Sequence, residues 1–121
     1  MVNQPNAKLL RIFVGEYDKV GHSPLYEELV YAAKRKGLAG ATVIKGIMSY
    51  GANSLIHKAK LLDISHDLPI IVEIVDSEDH INDFLEVVDD LFEQSKSGGL
   101  VTIEKADVKF YHPDKEDRDG E

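Results

Sequence analysis

Residues 68–76 read LPIIVEIVD, and this short run decides the fold. β-Branched residues dominate it, and alternate side chains of a strand point to opposite faces. Ile70, Val72 and Ile74 therefore share one face, while Ile71 and Val75 share the other. A strand apolar on both sides is a central strand with something packed on each face. Working back along the chain, residues 8–16, KLLRIFVGE, repeat the pattern: Leu10, Ile12 and Val14 on one side, Leu9, Arg11 and Phe13 on the other.

Between these two strands lies a helix. Ser23-Pro24 opens it with a serine cap and a proline at the first helical position. Leu25, Leu29, Ala32 and Ala33 form its apolar stripe, and Gly37 is the expected stop after Lys34, Arg35 and Lys36. A second strand runs over 41–50, followed by a segment of weak periodicity, 51–66. Forward from Asp76, Ser77 caps another helix, in which Ile81, Phe84, Leu85, Val88, Leu91 and Phe92 recur at three- and four-residue spacing. Ser97-Gly98-Gly99 ends it, and 100–111 returns as a fourth strand with Val101 and Ile103 on one side.

The order is β-α-β-β-α-β, the split βαβ arrangement. The predicted fold is α+β, a ferredoxin-like sandwich: a four-stranded antiparallel sheet with two helices on one face. Two helices cover only one face of that sheet, so its second apolar face is expected to meet other copies of the chain in a closed homo-oligomer. We divide the chain into a flexible N-terminus (1–7), one domain (8–111) and a disordered tail (112–121). The tail, HPDKEDRDGE, holds five acids and two bases, so −3 of the net charge of −8 lies there.

Composition narrows the function. The 121 residues contain no cysteine, which excludes disulfides, thiolate catalysis and cysteine-ligated zinc. A net charge of −8 argues against general nucleic-acid binding, which needs clustered cations. No apolar run approaches a membrane span, and MVNQPNAKLL lacks the basic and apolar regions of a signal peptide, so a cytoplasmic protein that is not itself membrane-embedded is expected.

The segment GLAGATVIKGIMSYGANS, residues 37–54, carries four glycines in a stretch that otherwise favours a strand. Gly37 stops the helix, Gly40 turns the chain into the sheet and Gly51 releases it into a loop. For Gly46 the expectation is close approach of a neighbouring subunit or a ligand.

These residues resemble the domain-of-unknown-function 190 family, a PII-like group related to the nitrogen-regulatory PII signalling proteins. The motifs are Leu10-Arg11-Ile12-Phe13-Val14-Gly15-Glu16, Pro24-Leu25-Tyr26, Gly37-Leu38-Ala39-Gly40-Ala41-Thr42-Val43, Gly46, Tyr50-Gly51, Ile56-His57, Leu68-Pro69, Asp76 and Gly99-Leu100-Val101. The resemblance implies a homotrimer with an adenine nucleotide in each inter-subunit cleft and a T-loop, here 51–66, that contacts a partner. By that resemblance Gly40, Thr42, Gly51, Ala52, Asn53, Ser54, Gly98 and Gly99 are candidate nucleotide-binding residues, and His57, Lys58 and Lys60 candidate contacts to phosphate or partner. It further implies a regulated transporter, enzyme or channel, a fluoride-channel-like membrane protein being one candidate. The phosphate-holding arginines of PII proteins have no counterpart in 97–103, after which the first base is Lys105, nor in Ala52-Asn53-Ser54-Leu55. The ligand choice is therefore open among AMP, ADP, ATP and a cyclic nucleotide, none an obligatory cofactor, with weaker binding expected for the triphosphate.

Each candidate also has a plain structural reading: Gly40 as a turn, Gly98-Gly99 as a helix stop, Gly51-Ala52-Asn53-Ser54 as a strand-to-loop turn, the basic residues as solvated charges. Glu73, in an apolar strand, suits acid–base work or an interface ion pair with Arg11 or Lys45. The five histidines lack metal-ligand spacing, and no nucleophile elbow, Walker A or Rossmann motif is present. A binding protein without catalytic residues is the leading reading. A small oligomeric enzyme on the same fold, or a metal- or anion-binding trimer, is the alternative.

Overall fold

A computed structural model describes residues 6–50, 56–58 and 68–112. Strand β1 spans Ala7–Gly15, and the short strands β2 (Lys19–Val20) and β3 (Ser23–Pro24) pair with each other before helix α1, Leu25–Arg35. Strands β4 (Thr42–Lys45), β5 (Met48–Tyr50), β6 (Ile56–Lys58) and β7 (Pro69–Ser77) follow. Helix α2, Glu78–Ser95, and strand β8, Leu100–Lys105, complete the described elements.

The main sheet has the order β4-β7-β1-β8, and each neighbouring pair is antiparallel. This is the expected α+β, ferredoxin-like architecture. The alternation read from the sequence sorts the faces as predicted. Leu10, Ile12 and Val14 of β1 and Ile70, Val72 and Ile74 of β7 are buried with Leu25 and Leu29 of α1 and Ile81, Phe84 and Val88 of α2. Each such side chain contributes about 1.5–3 kcal/mol through burial. The opposite face carries no helix among the described residues, and one cross-strand row on it reads Thr42–Glu73–Arg11–Thr102.

Five local expectations are corrected. The second strand is broken in two. Gly46 donates its N–H to the Pro69 carbonyl at 2.8 Å, and a Cβ there would lie 2.6 Å from the Pro69 ring. The close approach that calls for glycine here comes from Pro69 of the same chain. Beyond it the backbone forms β5, which pairs with β6 in a separate ribbon. The fourth strand stops at Lys105, and residues 106–112 run on without regular structure.

At the start of α1, Ser23 is drawn into the β2–β3 pairing, so Pro24 stands at the N-cap and no side chain caps the helix. Helix α2 ends before Ser97-Gly98-Gly99, because Lys96 takes the left-handed cap position at φ 59°. The other caps fall where expected. Ser77 Oγ accepts the His80 N–H. Gly37, at φ 78°, donates to the Lys34 carbonyl while Leu38 donates to Ala33, the paired bonds of a Schellman turn.

Candidate functional site

The chain from Gly37 to Ala41 turns out of α1 and enters the sheet beside the end of β7. Its position is set by Asp76, the single buried charged residue among those described. Asp76 Oδ2 accepts the Ala39 N–H at 2.8 Å, and Oδ1 accepts the Ser77 N–H at 2.7 Å and faces His80 Nδ1 at 2.8 Å. Burial pushes the Asp76 carboxyl up, but the donors from Ala39, Ser77 and His80 outweigh it and hold the carboxyl below its usual range.

Under this turn, on the helix-free face, lies a cavity of about 460 Å³. Leu9, Glu73 and Val75 come from the sheet, Gly40 and Thr42 from the turn and β4. Residues after β8 supply the remaining wall, including Phe110 and Tyr111. This strap is fastened at both ends: Ala106 N–H donates to the Ala7 carbonyl at 3.0 Å, and the Tyr111 hydroxyl donates to the Ala39 carbonyl at 3.4 Å. Beyond the aromatic pair, the rings of Phe110 and His112 meet edge-on with centroids 5.1 Å apart.

Next to the cavity, Arg11 Nε donates to Glu73 Oε2 at 2.8 Å and Arg11 NH1 to Glu104 Oε2 at 2.6 Å. The hydrogen bond to Glu73 raises the Arg11 pKa against an opposing effect of desolvation, and Glu104 adds to the rise. Glu73 thus has an ion pair, as one sequence reading held, but with Arg11 of its own chain. Lys45 pairs instead with Glu16, at 2.5 Å. Among the described residues no lysine, arginine or histidine lines the cavity.

The structure brings Gly40 and Thr42 together at this cavity. Gly98 and Gly99 lie elsewhere in the same chain. They precede β8, whose Leu100 pairs with Phe13, four residues or about 13 Å along β1 from Leu9. Gly99 is glycine for a packing reason: a Cβ would fall 2.5 Å from the Phe92 ring and 2.7 Å from the Phe13 carbonyl. His57 and Lys58 belong to β6, opposite Ser49 and Met48. Gly51, Ala52, Asn53, Ser54 and Lys60 lie outside the described residues.

Sequence reasoning missed the strap and the structural role of Asp76. Phe110-Tyr111 read as the end of a strand, and their position over the sheet depends on a break after Lys105 that alternation alone does not reveal. A signal for Asp76 was present, since it is the one acid closing the 68–76 run and stands next to a helix cap. Among the described residues no group of three or more histidine, aspartate or glutamate side chains is placed to hold a metal. No helix there is long and apolar enough to cross a membrane.

Comparison with known proteins agrees with this architecture. The family model DUF190, described as an uncharacterized ACR, matches residues 7–108. A UPF0166 protein of Aquifex aeolicus is 42% identical over 103 residues, covering 85% of this chain and 93% of the relative. A UPF0166 protein of Methanocaldococcus jannaschii is 38% identical over 97 residues, 80% of this chain and 86% of the relative. Among solved structures, CPII of Thiomonas intermedia K12, a nitrogen regulatory PII-like protein bound to ADP, AMP and bicarbonate, superposes with a TM-score of 0.62. At 20% identity it covers 84% of this chain and 87% of its own, a likeness of fold.

Proposed function

The chain belongs to the DUF190 family, with a PII-like fold, and from that premise we propose that it is a PII-like regulatory protein, a homotrimer that binds an adenine nucleotide. The observation that carries this reading is the cavity beneath the Gly37–Ala41 turn, where Gly40 and Thr42 meet two aromatic side chains. Its volume falls in the ordinary range for small-molecule sites, about 300–1,000 Å³. Small residues on the turn let a ligand approach the backbone, and the apolar sheet residues suit a base or ribose.

The phosphates are held at the mouth, toward a neighbouring subunit. Gly98-Gly99 belong to that reading only as residues of the neighbour, since within one chain they are remote from the cavity. The helix-free sheet face, with Phe13 and Ile71 on it, supplies the contact between copies. The PII-like fold of CPII, crystallised with ADP and AMP, supports the ligand class.

The nucleotide changes the arrangement of the segment beyond Tyr50, and with it the contact with a transporter, channel or enzyme. Such a switch requires the ligand to bind one state of that segment more tightly than the other. Calorimetric titration with AMP, ADP, ATP and cyclic nucleotides, together with sizing in solution, tests the proposal. Binding of AMP or ADP below roughly millimolar by a trimer supports it; a monomer that binds none of them overturns it.

A further inference from the structure

The turn over residues 37–41 has a second side. Against α1 it closes a smaller cavity of about 230 Å³. Val30, Ala33 and Lys34 of α1 form one wall, and residues 38–41 form the other. This volume lies below the usual range for small-molecule sites, about 300–1,000 Å³, so the occupant is smaller than a nucleotide. Ala39, Gly40 and Ala41 line both cavities, which makes the turn a thin partition between them.

The two sides of the partition differ in charge. Glu73 and Asp76 stand in the wall of the sheet-side cavity, whereas Lys34 is the one charged residue lining the outer one among the described residues. Neither Lys34 nor the Arg35 and Lys36 that follow it has an ion-pair partner among those residues. A helix C-terminus ordinarily disfavours anions. Here its last carbonyls are already engaged, Ala32 by the Lys36 N–H, Ala33 by Leu38 and Lys34 by Gly37, and three consecutive bases offset what remains of the dipole.

A single ammonium beside hydrocarbon side chains selects a ligand with one negative charge and an apolar body. Phosphate groups call for several cations or forked donors, and an amine is repelled by Lys34. We propose that the outer cavity is an effector site for a short-chain aliphatic carboxylate, its charge paired with Lys34 and its alkyl chain packed on Val30, Leu38 and Ala41. The occupant rests against Ala39, whose N–H is held by Asp76 and whose carbonyl receives the Tyr111 hydroxyl. Its binding is thereby coupled to the strap. The site stands independently of the nucleotide-binding reading.

The test titrates the native chain with hexanoate, without any nucleotide, and follows the backbone amide resonances. Saturable shifts are expected at residues 38–41 with a dissociation constant in roughly the millimolar range, the scale of a ligand of so few atoms. The Tyr111 amide should move along the same binding curve. Lys34→Met keeps the stem but not the charge and should weaken hexanoate about fivefold, the upper scale of a partly exposed ion pair. Hexanamide, which has no charge, should bind the native chain about as weakly and lose nothing further in Lys34→Met. Val30→Phe fills the outer cavity and should abolish the shifts. Absence of saturable shifts at 38–41, shifts centred instead on Glu73 and Val75, or equal hexanoate affinity in Lys34→Met overturns the site. Shifts at 38–41 that leave Tyr111 unmoved overturn its effector role.

Discussion

Asp76 accepts the backbone N–H of Ala39 at 2.8 Å, a bond between residues 37 positions apart. It joins the end of the central strand to the turn leaving α1, and so sets the position of one cavity wall. The same carboxylate holds the first peptide N–H at the cap of α2. One buried side chain therefore ties a turn, a strand end and a helix start.

Replacing Asp76 with alanine leaves the Ala39 and Ser77 N–H groups without their acceptor. The expected cost is about 2–3 kcal/mol, the scale of losing charged hydrogen bonds in a buried setting. Urea denaturation measures it, and a loss under about 0.5 kcal/mol, the range of an ordinary surface change, contradicts the role assigned to Asp76.

Acid sensitivity follows from the same carboxylate. Its folded pKa lies below the ordinary value of 3.8, so the folded chain gives up this proton more readily than the unfolded chain. The resulting stability is fully present above the unfolded value and is lost as pH falls below it, through the depressed folded value. Denaturation midpoints measured from neutral pH downward should show an acid-limb decline that is shallower in Asp76→Asn.

The two adjacent glycines before β8 separate packing from ligand binding. Gly99→Ala drives a methyl group into the Phe92 ring and the Phe13 carbonyl, with an expected loss of about 1–3 kcal/mol. A Cβ at Gly98 meets nothing within 4 Å, so Gly98→Ala should leave the thermal midpoint of the chain nearly unchanged. Equal midpoints for the two variants would contradict the packing described here.

The strap is expected to serve the ligand more than the fold. Ending the chain after Ala106 keeps the bond to Ala7 and removes Phe110 and Tyr111 from the cavity wall. Stability should change by about 0.5 kcal/mol or less, because the removed residues are mostly exposed. AMP affinity should fall by about tenfold, the scale of one aromatic–base contact. Calorimetry on the shortened chain decides between a ligand-facing strap and an incidental one.

Much of the fold was legible because the relevant signals are local. Alternation in 68–76 and 8–16 gave the strand faces, the apolar stripes gave both helices, and Gly37 and Ser77 marked two of their ends. The errors fell where a distant residue intervened. Nothing in ATVIKGIMSY announces that Pro69 will lie against Gly46, and nothing around Gly99 announces the Phe92 ring. For the site, Gly40 and Thr42 were named from their resemblance to the family, whereas Glu73 was named for its chemistry without its place.

By itself the sequence determined the order of elements, the apolar character of both sheet faces, the absence of thiol chemistry and the family. Those properties depend on residue type and short-range periodicity. Only the tertiary structure decided that Glu73 meets Arg11 across 62 positions, that Asp76 holds Ala39, and that Tyr111 crosses back to the same residue across 72. Such contacts follow from strand register and from where a strand stops. A shift of one residue in register would move Glu73 to the opposite face, and no local pattern around either partner specifies that alignment.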